Sequence, residues 1–193
     1  MQEGRVAGTG RADYMRCMSV SETSAPLLPI LIYPESVLRK VARPITPADA
    51  DEVRRLVPSM FATMYNAPGI GLAANQIGSL LRMIVVDVAP KEKPEPMALI
   101  NPEIIAKSDE TATQEEGCLS IPDQYAEVTR PARVKVRYQD PEGMKKEIEA
   151  EGLLSACLQH EIDHLNGVLF VDYLSALKRN MLLRKLAKAQ KGR

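Results

Sequence analysis

The chain is predicted to be α+β, and three observations carry that prediction. Val53, Leu56, Val57, Met60, Phe61 and Met64 recur at helical spacing. Val134, Val136 and Tyr138 alternate with Arg133, Lys135 and Arg137, the period of a half-buried strand, and a return run at 146–151 follows the turn Asp140-Pro141-Glu142-Gly143. Helices and antiparallel strands are mixed without βαβ repetition. The predicted architecture is antiparallel sheets packed around a buried central helix that carries both histidines, with a last helix at the C-terminus.

The elements follow in order. Residues 1–27 are expected to be a disordered leader or extension, with 28–193 forming a single domain. The leader has no apolar period and no apolar core of the kind a secretory signal needs. Arg5, Arg11 and Arg16 hint at a transit peptide, but Glu3, Asp13 and Glu22 argue against one. Order is expected from Leu27-Leu28-Pro29-Ile30, with a helical turn over residues 34–40. Thr46 as N-cap, Pro47 at the first helical position and Asp49 three after the cap open the first long helix. Pro58 is expected to kink it, and Ala67-Pro68-Gly69 to end it. Residues 83–88 read as a strand, and Ala98-Leu99-Ile100 and Ile104-Ile105 look extended on either side of Pro102. Gly152 opens a helix to about Asn166, stopped by Gly167. The last helix starts near Ser175.

Bulk properties bound the class. The chain has 193 residues, 45% apolar and 26% charged, which suits one soluble domain with its own core. Lys plus Arg equal Asp plus Glu at 25 each, so no global attraction to nucleic acid is expected. No apolar run approaches the roughly 20 residues of a membrane span. Cys17, Cys118 and Cys157 are scattered and odd in number, a poor disulfide framework that suggests a reducing compartment.

The chemistry concentrates at Gln159-His160-Glu161-Ile162-Asp163-His164. His160 and His164 are the only histidines in the chain. Four residues apart, they lie one turn above each other and can converge on one metal, while Glu161 can reach a bound water without ligating. The surrounding run 153–165 is apolar on nearly every side. Burying two acids and two histidines there is costly unless each finds a partner, which disfavours a chance motif. A catalytic site of this type takes three protein ligands and keeps one position open. Phe170 stands where one protease family has a third histidine. No Glu follows His164, and the only downstream acid is Asp172. Cys157 lies about 10 Å of helical rise from His164, too far to close the site, and suits an apolar wall. Cys118 or a carboxylate remains, and Cys118 has the better context because Gly117 lets backbone approach closely.

A third constellation is Gly69-Ile70-Gly71-Leu72-Ala73-Ala74-Asn75-Gln76. Gly-x-Gly-x-x-Ala is an allowed dinucleotide fingerprint with Asp87 suitably placed beyond it, but that motif needs a preceding strand, and here a helix precedes.

Taken together, Gly69-x-Gly71-Leu72-Ala73-Ala74-x-Gln76, Glu116-Gly117-Cys118-Leu119-Ser120 and Gln159-His160-Glu161-x-Asp163-His164 resemble, in order, the three signature motifs of the peptide deformylase family. The resemblance runs from about Leu28 to the C-terminus. It implies that Cys118, His160 and His164 hold a metal, natively Fe2+, for which Zn2+ or Ni2+ may substitute. It implies that Glu161 is the general base and acid, and that the Gln76 amide and Leu119 backbone N–H meet the oxyanion. Gly71 would pair its backbone with an N-formylmethionyl peptide, and Ile70, Leu153, Ala156 and Cys157 would line the methionine pocket beside Gly117. The reaction implied is hydrolysis of the formyl group from nascent polypeptides, releasing formate, by a bacterial cytoplasmic monomer, with an organelle as the alternative location.

Three points stay open on the residues. Many bacterial members carry Arg seven residues after the ligand cysteine, where this chain has Tyr125, which puts the charge-assisted part of peptide binding in doubt. Asp163 needs a cation, for which Arg130 is the candidate. From Tyr173 onward the chain has seven basic residues and no acids. That suits either a solvated helix end or, as resembling proteins imply, ribosome binding near the tunnel exit. A zinc metalloprotease and a non-catalytic metal module that binds the ribosome are the alternative functions.

Overall fold

The computed structural model describes residues 25–89 and 94–191. The expectation for the leader falls, up to residue 24, outside the described residues. Thr46 and Asp49 close a capping box around a 3-10 turn, Pro47–Asp49, and helix α1 then runs over Ala50–Asn66. Pro58 does not end it, although its nitrogen cannot donate to the preceding turn. Burial on both sides of Pro58 holds the helix together: Val53, Val57, Met60, Phe61 and Met64 are all buried.

Among the described residues seven strands follow: β1 (Gly71–Ala73), β2 (Met83–Val86), β3 (Met97–Lys107), β4 (Thr111–Cys118), β5 (Ile121–Pro131), β6 (Arg133–Gln139) and β7 (Lys145–Glu151). They form a five-stranded sheet in the order β1-β2-β3-β6-β7 and a separate β4-β5 hairpin, and every pair is antiparallel. The predicted extended runs on either side of Pro102 are one strand, β3, with register shifts where it passes Asn101 and Pro102. Strand β1 and the β4-β5 hairpin were not expected.

The two faces of the sheet explain why β2 is a continuous apolar run. Ile84 and Val86 point with Leu99 toward helix α2 (Gly152–Leu165), against Leu158, Ile162 and Leu165. Met83 and Val85 point with Ala98 and Ile100 toward α1, against Met60, Phe61 and Met64. A strand buried on both faces has no polar phase. Each fully buried Leu, Ile or Met here contributes about 1.5–3 kcal/mol. Gly167 stops α2 with φ 74, and a Cβ there would meet the Arg39 carbonyl oxygen at 2.5 Å.

A 3-10 turn, Phe170–Tyr173, leads into α3 (Ala176–Lys191). Leu182 and Leu186 of α3 pack with Phe170, Val171, Ile121 and Val128, fixing the C-terminal helix to the hairpin. Among the described residues no helix is long and apolar enough to cross a membrane.

Candidate metal centre and active site

Helix α2 is seeded by Gly152 after β7 and runs inward, so its middle residues leave water. His160, Glu161 and His164 are 8%, 4% and 1% exposed. Cys118 ends β4, and the short turn to Ile121 of β5 aims its sulfur at α2. Cys118 Sγ lies 3.1 Å from His164 Nε2. One donor atom from each of Cys118, His160 and His164 falls within 4.8 Å of the others. Asn75 donates to the His164 backbone carbonyl, tying the glycine-rich segment to the same helix turn.

Cleft and cluster coincide. A cleft of about 650 Å³ is lined by Ile70, Gly71, Gln76, Gly117, Cys118, Leu119, Tyr125, Leu153, Ala156, Cys157, His160 and Glu161. Of the site residues read from the sequence, only His164 lies behind that surface. Gln76 is held rigidly: its Oε1 accepts from Ala73 N–H at 2.8 Å, and its Nε2 donates to Ser120 Oγ at 3.2 Å and toward Cys118 Sγ at 3.6 Å. Gly71 has no room for a side chain, because a Cβ there would sit 2.5 Å from Glu161 Oε1 and 2.8 Å from Cys157 Sγ. The Tyr125 ring lies against Gly117 and is 64% exposed at the mouth.

Several buried groups find unexpected partners. Glu116, two residues before Cys118 and on the same face of β4, accepts from His160 Nδ1 at 2.9 Å. Arg130 forks onto Glu116 and reaches Asp163 at 2.7 Å, so the cation sought for Asp163 is in place. Phe170, at the position of a protease's third histidine, is buried with its ring 6.2 Å from that of His160. The role of Glu116 was missed because the strand that aims it was not recognised.

The electrostatics fit a cation. Burial pushes the Glu161 carboxyl up to about 7, and its Oε2 has no hydrogen-bond partner among the described residues. Burial disfavours a charge on His160, yet hydrogen bonds to Cys118 and Glu116 outweigh it and hold that imidazole well above its ordinary value. Burial and the neighbouring His160 charge hold His164 well below its own. A soft thiolate and two imidazoles form a donor set suited to a divalent transition metal, and the three residues fit one.

An open three-donor cluster beside a buried carboxylate, at the floor of a peptide-sized cleft on a mixed antiparallel fold, defines the class: a metal-dependent hydrolase. A family model described as polypeptide deformylase matches residues 27–180. The peptide deformylase of Rhizobium meliloti (strain 1021) is 56% identical over 166 residues, covering 86% of this chain and 95% of the relative. That of Brucella suis biovar 1 (strain 1330) is 54% identical over 161 residues, covering 83% and 91%. The crystal structure of a peptide deformylase from Legionella pneumophila superposes with a TM-score of 0.81 at 47% identity, covering 86% of this chain and 96% of that one. The peptide deformylase from Ehrlichia chaffeensis gives 0.80 at 36% identity, covering 86% and 98%. The chain belongs to the peptide deformylase family. Membership makes it a metal-dependent hydrolase that removes the N-formyl group of nascent polypeptides. It also sets aside the protease, the non-catalytic module and the dinucleotide-binding readings.

Proposed function

We propose that Cys118, His160 and His164 hold a single Fe2+, replaceable by Zn2+ or Ni2+, and that residues 28–193 act as one catalytic domain built around α2. The observation that carries this is the convergence of the three donor atoms within 4.8 Å of one another, beside the unpartnered Glu161 carboxylate oxygen. When bound, the ion acidifies a water and polarises the formyl carbonyl.

The rest of the chemistry belongs to the chain. Glu161 takes the proton of the attacking water through its buried carboxylate and delivers it to the leaving α-amine, so the peptide departs neutral. The Gln76 amide and the Leu119 backbone N–H stabilise the oxyanion, the amide already pinned by Ala73 and Ser120. Gly71 pairs with the extended peptide. Ile70, Leu153, Ala156 and Cys157 receive the methionine side chain, and burial keeps the Cys157 thiol protonated and inert by pushing its pKa up. Gly117 and Tyr125 border the path of the following residues. The setting proposed is a monomer in the bacterial cytoplasm that approaches the ribosomal tunnel exit through the basic face of α3.

Formate release from formyl-Met-Ala-Ser is the test, with the wild type and Glu161→Gln run beside a casein digest. We expect turnover by the wild type, a loss of about 10²–10⁴-fold in the variant with metal retained, and intact casein. Full activity in the variant would remove Glu161 from its role. Metal content of protein purified without oxygen and without added metal identifies the ion; zinc or nickel in place of iron in that protein would overturn Fe2+ as the resident ion.

A further inference from the structure

We propose that Arg130 and Tyr173 are positioning residues for the metal ligand His160, acting through Glu116 from the root of the C-terminal helix. The inference rests on the proposed metal site and extends it outward. Arg130 donates to both oxygens of Glu116 and His160 Nδ1 meets Oε2, the surroundings of a carboxylate that accepts. The 2.9 Å contact engages His160 Nδ1 with Glu116, so Nε2 is the ring nitrogen turned to the cluster.

Glu116 is itself held. Arg130 Nε lies 2.5 Å from Oε1 and Nη2 lies 3.0 Å from Oε2, a bidentate fork that fixes the carboxylate plane. The third arm of Arg130, Nη1, reaches Asp163 Oδ2 at 2.7 Å, and Asp163 sits one helix turn beyond His160. Tyr173 closes the outside: its ring centroid is 4.5 Å from the guanidinium carbon, and its hydroxyl donates to the same Asp163 oxygen at 2.8 Å. Arg130 is thereby 4% exposed, while Tyr173 is 49% exposed. A merely structural ion pair would need Arg130 and one carboxylate. Here Glu116 Oε2 is shared between Arg130 and the imidazole, so any rotation of the guanidinium turns the ring that faces the metal. Lys at position 130 would keep the charge and lose the fork.

The experiment titrates metal-free enzyme with Co2+ against a chromophoric chelator, recording the cobalt d–d spectrum and Tm in parallel. Arg130→Lys is expected to weaken Co2+ binding about 10–100-fold and to change the spectrum. Tyr173→Phe, which removes one hydrogen bond and keeps the ring, is expected to weaken it roughly threefold to tenfold with Tm nearly kept. In a Glu116→Gln background the Tyr173→Phe effect should vanish, because its route to His160 is cut. Wild-type affinity and spectrum in Tyr173→Phe, or an undiminished effect in the Glu116→Gln background, would overturn the proposal even if Arg130→Lys fails to fold. Failure of the wild type to bind one Co2+ would instead strike at the metal site, and the proposal would fall with it.

Discussion

Gly71 and Tyr125 show how much single positions decide. A methyl group at Gly71 would collide with Glu161 Oε1 and Cys157 Sγ. Gly71→Ala is therefore expected to displace Glu161, the proposed base, and lower kcat about 10²-fold while the metal content stays at one. Steady-state kinetics beside metal analysis decide it, and an unchanged kcat would show that Glu161 tolerates the displacement. Tyr125 stands outside the chemistry: its ring is exposed and rests on Gly117 at the cleft mouth. Tyr125→Ala should raise KM a few-fold, the scale of one exposed aromatic contact, with kcat nearly kept; a collapse of kcat would place Tyr125 nearer the reacting atoms. The clustering of Cys118, His160 and His164 was legible in part: the spacing of the two histidines pointed to one another, while Cys118 was singled out from a carboxylate only by the family resemblance. Glu116 was not legible, since a carboxylate two residues before a cysteine means something only once both are known to share a strand face.

The same contrast appears among the elements. Strands β6 and β7 were readable from their alternation and the turn between them. Strands β4 and β5 were not, because their inward face carries Gln114, Glu116 and Arg130 for the site and breaks the apolar period. Strand β1 has three residues, all buried, and offers no period at all. Helix α3 was readable, but its packing changes how its basic face must be tested. Leu182 and Leu186 are buried against the hairpin, so removing the helix would expose that core and confound any binding measurement. Lys178, Arg184, Lys185 and Lys188 are exposed, and changing them to Glu leaves the buried face intact. Co-sedimentation with ribosomes over a salt series should then show weaker binding and a shallower salt slope, the behaviour of lost phosphate contacts. Binding and slope equal to those of the wild type would exclude α3 as the docking element.

At the scale of the molecule, the two sheets share no strand pairing among the described residues: β4-β5 stands apart from the five-stranded sheet. Polar ties from Glu116 and Arg130 to α2, the Gln76–Ser120 contact and the apolar cluster with α3 hold the hairpin in place. Cys118 comes from the hairpin and the two histidines from α2, so a bound ion would fasten one unit to the other. Binding to the folded state alone stabilises it by about 4 kcal/mol at a free metal concentration 1,000 times Kd. For a chain of this size that corresponds to roughly 8–16 °C in Tm. The stabilisation should fade as pH falls, because thiol and imidazole must lose protons to bind. It should also be local. In the metal-free protein, amides of β4 and β5 should exchange faster while β2 and residues 98–100 of β3, buried between α1 and α2, keep their protection. Hydrogen exchange with and without the ion tests this. Equal protection of the hairpin in both states would mean that the packing against α3 already fixes Cys118, and that the site is complete before any metal arrives.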